Sequence, residues 1–208
     1  MKRFSTPMAG ILWLGMHANI CVICAVLLGS LFMQVVMGEY PCPLCMTQRI
    51  AMILCALGQA YILSRLFIDN NLQCKDFSLG HGMTIYAALA GAAMSIRQIL
   101  LHIVPPDPGY GTPVFGLHIY TWSFLIFCAE ILAVGINLAL GPREEFRVHP
   151  NALKLTRGVF LLLAIIIAAV AVVTFVEEGL HLVLPDNPTS NRLFEDLGLR
   201  PPAPSPDL

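Results

Sequence analysis

Five long apolar runs constrain this chain more than any other feature; they cover residues 11–36, 46–68, 83–104, 117–140 and 158–176. Each approaches or exceeds the roughly 20 residues that carry a helix across a bilayer at about 1.5 Å per residue. A lone strand cannot satisfy its backbone in lipid, so all five are expected to be helices. The last, GVFLLLAIIIAAVAVVTFV, carries no charge. Of the 208 residues, 57% are hydrophobic and 12% charged, where soluble domains carry about 25% charged residues. That is too little charge to cover a water-facing surface and too much apolar mass for a disordered chain. A net charge of −1 and a pI near 6.6 leave no basic footprint, so no nucleic-acid partner is expected. The expected fold class is an all-α membrane protein, with lipid around its spans. The first run follows Lys2 and Arg3, yet it is longer than the apolar core of a signal peptide and shows no small-x-small cleavage site. It reads as a retained span.

Basic residues set the orientation. Lys2, Arg3, Arg65, Lys75, Arg143, Arg147, Lys154 and Arg157 fall on one side of a five-span topology, whereas the loops 37–45 and 105–116 hold no Lys or Arg. The positive-inside rule makes the first side cytoplasmic, with the N-terminus in and the C-terminus out. The domain organisation is then a four-span membrane unit over 1–145, a connector and fifth span over 146–176, and an outer tail over 177–208. A helical turn is expected around residues 192–197. The terminal PPAPSPDL is Pro-rich and suits an extended segment. The tail is either solvated or a dock for a partner.

The chain has seven cysteines. Cys21 and Cys24 in the first span, Cys55 in the second and Cys128 in the fourth suit packing by small apolar side chains. Cys74 falls in an inner loop. Only Cys42 and Cys45 fall on the outer side, in YPCPLCMTQR, where a disulfide can form and persist if that side is oxidising. Cys42 suits the cap of the second helix and Pro43 its first residue, where a missing N–H costs nothing. Both sulfurs then lie at a helix N-terminus, whose partial positive charge stabilises a thiolate. Arg49 follows Cys45 by four residues, on the same face and one turn deeper. An arginine there needs a partner or a task. The residues alone leave three readings open: a redox dithiol, a structural disulfide, or a copper-handling site that adds His102, His118, Met37 or Met46.

At PCPLCMTQRIAMI the chain resembles the bacterial disulfide bond formation protein B (DsbB) family, which has P-C-x-x-C on the outer side and an arginine four residues after the second cysteine. The first four spans and their orientation match over roughly residues 10–140. The resemblance implies a four-helix bundle in the bacterial inner membrane that binds a quinone, ubiquinone or menaquinone, near the outer surface. It also implies a quinone-linked protein thiol–disulfide oxidoreductase that takes electrons from a periplasmic thioredoxin-like (DsbA-like) partner. Carried over, Cys42 and Cys45 are the redox pair and Arg49 is the quinone-contacting arginine. Cys42 is expected to be the more exposed sulfur and to exchange with the partner. Three departures stand out. The loop 105–116 lacks the second cysteine pair that full oxidases carry, Gln48 stands where the family has Glu, and a fifth span is added. Either Cys42–Cys45 meets a partner directly, or a second protein supplies the missing pair, or the fold serves another use, such as a non-catalytic accessory subunit.

Other polar residues lie within the spans. Arg97 is expected to face the bundle interior, either paired with Glu130 or lining the quinone pocket with His102, the better proton carrier. His17 is expected to be a hydrogen-bonded bundle residue. Phe115, Tyr120 and Trp122 suit either an interfacial aromatic belt or the wall of a ring site.

Overall fold

A computed structural model describes residues 7–69, 71–141, 153–181 and 188–199. The Pro-rich end of the tail, Lys2, Arg3, Arg143 and Arg147 lie outside the described residues. The helices are α1 (Pro7–Val35), α2 (Pro43–Asp69), α3 (Cys74–Leu101), α4 (Ile119–Leu140), α5 (Leu153–Glu178) and the short α6 (Arg192–Asp196). The first five are long and apolar enough to cross a membrane. Among the described residues there is no strand, only an isolated bridge between Val114 and Leu117. The all-helical bundle of five spans agrees with the sequence, as does the helical turn at α6.

Four helices begin earlier than their apolar runs, α3 and α5 by the most. α3 starts at Cys74 rather than at residue 83, because polar residues in its first turns find partners inside the bundle. Asp76 takes the Tyr61 hydroxyl at 2.9 Å, and His81 Nδ1 bonds the Phe77 carbonyl at 2.9 Å. Cys74 therefore opens a helix instead of lying in a loop. α5 starts at Leu153 rather than 158. There Thr156 meets His17 Nε2 at 3.0 Å, and Arg157 stacks over the Phe67 ring at 5.3 Å. His17 is thus the bundle hydrogen-bonding residue expected, with its partner on the fifth span. α3 stops at Leu101, four residues before Pro105–Pro106, a pair that disfavours helix in the residue preceding it.

α2 lies at the centre, packed along α3 and also against α1, α4 and α5. Gly58 and Gly80 let α2 and α3 approach closely: a Cβ on Gly58 would sit 2.7 Å from the Gly80 carbonyl oxygen. Small residues at such crossings replace the hydrophobic drive that lipid removes. Cys55 packs at this seam, fully buried, and the Thr84 hydroxyl bonds its carbonyl at 3.2 Å. α5 presents Val159, Leu163, Ile166 and Val170 to the core, a helical stripe that packs chiefly on α1. Cys24 joins the core, but Cys21 and Cys128 are exposed on outward faces. For those two the packing role expected from sequence is corrected: apolar content does not say which face of a span meets lipid.

Candidate active site

The end of the bundle where α2 begins gathers a cluster of buried polar residues, Gln34, Gln48, Arg49, Gln98 and Glu177. Cys42 caps α2. Its carbonyl takes the Met46 N–H at 3.1 Å, and its sulfur takes the Cys45 N–H at 3.3 Å. Pro43 is the first helical residue, as its missing N–H favours. The two sulfurs lie 2.8 Å apart as a dithiol. The hydrogen bond to Cys45, then burial, pushes the Cys42 thiol up, so Cys42 is the sulfur that keeps its proton.

A pair of amides supports this dithiol. Gln48 Nε2 donates to Gln98 Oε1 at 2.8 Å. That fixes the Gln98 amide with its nitrogen toward the cysteines, where it donates to Cys42 Sγ at 3.2 Å and Cys45 Sγ at 3.3 Å. Gln98 is 1% exposed and reaches in from α3. One turn beyond Cys45, Arg49 is 7% exposed. Its Nη1 donates to Gln34 Oε1 at 2.5 Å and its Nη2 to the Ser30 carbonyl at 3.2 Å, both on α1.

Cys45, Gln48 and Arg49 share the wall of a cavity of about 710 Å³. Its other walls are largely apolar or aromatic and include Met33, Met52, Tyr110, Phe115, Tyr120 and Trp122. The three aromatics that sequence left between belt and ring site all line this space. The loop before α4 is tied down over it. Trp122 Nε1 donates to the Val114 carbonyl at 2.9 Å, and the Tyr110 hydroxyl to the Tyr40 carbonyl at 2.7 Å. Pro188 and Thr189 of the tail also line the cavity, and α6 is held to the end of α5 by Asp196, which accepts from the Leu180 N–H at 2.9 Å.

The expected site residues divide. Cys42, Cys45 and Arg49 lie together. Cys42, however, is 6% exposed and is not on the cavity wall, while Cys45 is half-buried and opens onto it. The expectation that Cys42 is the more exposed sulfur is corrected: its capping position turns it inward, toward Gln98. Arg97 is exposed, off the cavity wall, and makes no ion pair with Glu130. Glu130 instead accepts from Asn19 Nδ2 at 2.9 Å. Near a helix end, a long arginine side chain can reach the interface and needs no buried partner. His102 caps the C-terminus of α3 and stacks on Tyr120, with centroids 5.7 Å apart, so it stands behind a cavity residue rather than on the wall. Its Nδ1 lies 2.9 Å from Asp107, whose carboxyl is held low by the Gly109 N–H first and by His102 second. His118 also stacks on Tyr120, with centroids 5.2 Å apart. Among the described residues no group of three or more His, Cys, Asp or Glu gathers as a metal site.

Sequence reasoning missed Gln34, Gln48 and Gln98 as site residues. The available signal was their position: amides within apolar runs are costly to bury unless bonded, and all three are bonded to one another's neighbours around Cys45 and Arg49.

Comparison with known proteins gives a consistent picture. Disulfide bond formation protein B of Chromobacterium violaceum is 37% identical over 89 residues, covering 42% of this chain and 51% of that protein. Disulfide bond formation protein B 1 of Pseudomonas fluorescens strain Pf0-1 is 57% identical over 86 residues, covering 40% and 47%. The chain thus matches about half the length of these curated relatives. No solved structure matches. The model of the family described as disulfide bond formation protein DsbB matches residues 13–137, which hold the first four spans, the cysteine pair and the loop before α4, and the chain belongs to that family.

Proposed function

We propose that this multi-pass membrane protein is a thiol–disulfide oxidoreductase that passes electrons from a periplasmic, DsbA-like thiol partner to a quinone through the single pair Cys42–Cys45. The observation that carries this reading is that Cys45, Gln48 and Arg49 together line a largely apolar and aromatic cavity. A volume of about 710 Å³ lies within the range of small-molecule sites. The residues fit a quinone: aromatic and Met side chains suit a ring and its apolar tail, and the guanidinium and amide suit its oxygens. When bound, a quinone supplies an acceptor for two electrons and two protons.

The chain's own residues then have distinct tasks. With the pair oxidised, a partner thiolate attacks one sulfur, a mixed disulfide forms, and the other sulfur leaves as a thiolate. The partner's second thiol resolves the mixed disulfide, so the partner is oxidised and Cys42 and Cys45 are reduced. Cys42 holds its proton and Gln98 donates to both sulfurs, which leaves Cys45 to carry the thiolate at the cavity wall. Re-forming the Cys42–Cys45 bond from this thiol–thiolate pair releases two electrons and the Cys42 proton toward the cavity, the other proton having left when Cys45 ionised. Arg49 supplies positive charge and donors where negative charge develops. His102, behind Tyr120, is placed to exchange protons at the outer rim. Arg97, on its exposed face, would act only at the headgroup level. Cys42 is buried, so the partner meets the pair from the side of the half-buried Cys45 or after Cys42 is uncovered, and the loop before α4 carries no cysteine of its own. The orientation is N-terminus in and C-terminus out, in the bacterial inner membrane, with 1–145 as the family unit and 146–176 and 177–208 as additions to it.

The test uses purified protein with its pair reduced. Added quinone should re-form the Cys42–Cys45 disulfide with a stoichiometry of one quinone per pair, and Cys42→Ser should abolish this. Cys45→Ser should accumulate a mixed disulfide between Cys42 and the thiol partner. Thiol oxidation that persists unchanged in Cys42→Ser contradicts the proposal.

A further inference from the structure

The buried guanidinium of Arg49 makes no ion pair with a carboxylate of the four helices that the family match covers, among the described residues. Its two partners there, Gln34 Oε1 and the Ser30 carbonyl, are neutral. A buried charge without an opposite charge nearby is costly in a membrane interior. The opposite charge comes from the fifth helix. Glu177, in the last turn of α5, has no exposed surface, and its Oε2 accepts from Gln34 Nε2 at 2.5 Å. Its Oε1 has no partner among the described residues. Residue 177 lies 40 positions beyond residue 137, where the family match ends.

Gln34 is the hinge of this arrangement. Arginine can only donate, so the Gln34 oxygen must face Arg49. Its nitrogen then faces Glu177 and finds its acceptor in the Glu177 carboxyl oxygen. The amide therefore has one orientation, with its oxygen on the guanidinium and its nitrogen on the Glu177 carboxyl. The series Cys45, Arg49, Gln34, Glu177 runs from the cavity wall on α2, through α1, to α5.

We propose that Glu177 is a positioning residue of the redox site: through Gln34 it holds and balances the Arg49 guanidinium, so that the fifth span sets how strongly Arg49 favours the reduced cysteine pair. This rests on the redox reading of Cys42–Cys45. A negative charge behind the guanidinium offsets part of its pull on a thiolate at Cys45. Removing that charge leaves the pull unopposed and stabilises the dithiol form, and a stabilised reduced form makes a pair more oxidising.

The experiment equilibrates the purified full-length protein with a glutathione or dithiothreitol redox buffer at fixed pH, without quinone or partner, and measures the fraction of reduced pair. Glu177→Gln should shift the equilibrium three- to tenfold toward the dithiol, a tenfold shift being about 30 mV. Glu177→Met, apolar and of similar length, removes the charge together with the acceptor of Gln34 Nε2 and should give a shift in the same direction. Glu178→Gln, one residue on, should move it less than twofold. In an Arg49→Gln background, Glu177→Gln should have no further effect. The inference is overturned if folded Glu177→Gln and Glu177→Met both stay within twofold of the parent. It is also overturned if Glu178→Gln shifts as much, or if the shift survives without Arg49. A parent pair that does not titrate reversibly would sink the redox reading, and this inference with it. A pair that titrates normally but ignores Glu177 sinks this inference alone.

Discussion

At the end of the bundle away from the cysteines, the Arg65 side chain is 38% exposed and pairs with Asp69 at 3.0 Å, with Asp76 at 3.7 Å beside it. At the cysteine end, Arg49 is 7% exposed, and an amide stands between it and the nearest carboxylate, Glu177. Both arginines belong to α2, yet they obey different physics. Arg65 pairs in water, where salt screens the attraction and the side chains give up entropy to hold it, so such a pair contributes about 0–1 kcal/mol. Arg49 cannot be screened and is held by two hydrogen bonds to α1, with Glu177 of α5 behind Gln34. A charge held in this way remains available to act on a thiolate, whereas a charge neutralised by direct contact is spent on its partner.

That contrast breaks most sharply at Arg49. Arg49→Gln should slow quinone-dependent re-formation of the Cys42–Cys45 disulfide by about 100-fold, a loss of about 2.7 kcal/mol of barrier stabilisation. Stopped-flow measurement of thiol loss after quinone addition checks it. Next comes Gln98→Ala, which removes the donor to both sulfurs and leaves the Gln48 amide without its acceptor. Losing such buried bonds costs about 1–3 kcal/mol, visible as a lower thermal midpoint and slower cycling together. Arg65→Ala should cost under about 1 kcal/mol and leave cycling unchanged. A large loss of cycling there would erase the distinction between the two ends. The smallest effect belongs to the loop. Asp107 is held below its ordinary carboxyl value by the Gly109 N–H and His102, so its stabilisation is full above about pH 4, the unfolded value, and fades as pH falls through the lower folded one. Trp122, bonded to Val114 in the same loop, should report this as a fluorescence change on acidification that Asp107→Asn removes.

The spans and the cysteine pair were readable because hydropathy and helix-capping chemistry are local. Five apolar runs are enough to count helices, and P-C-x-x-C is enough to seat two sulfurs at a helix start. Boundaries were less readable, since Asp76, His81 and Thr156 lie inside helices whose apolar runs exclude them. The reason is that each is satisfied by a residue from a neighbouring turn or helix. The supporting shell was the least readable part. Arg97 drew attention as a charge, although a charge near the end of a span can reach water. Its neighbour Gln98, uncharged and one position along, faces the cysteines. Glu177 looked like the first residue of a solvated tail, because a carboxylate at the end of an apolar run is the usual mark of the water boundary. Only the packing of α5 against α1 and α2 turns it inward. Contacts between residues 143 positions apart, such as Gln34 with Glu177, leave no periodicity in the sequence.

The central claim is that Cys42–Cys45 is a quinone-linked redox pair, and thiol trapping of its state in growing cells tests it most directly. With respiratory quinone present the pair should be mostly disulfide; in cells unable to make quinone it should accumulate as dithiol, and restoring quinone should reverse this. A pair whose state is the same with and without quinone would contradict the account.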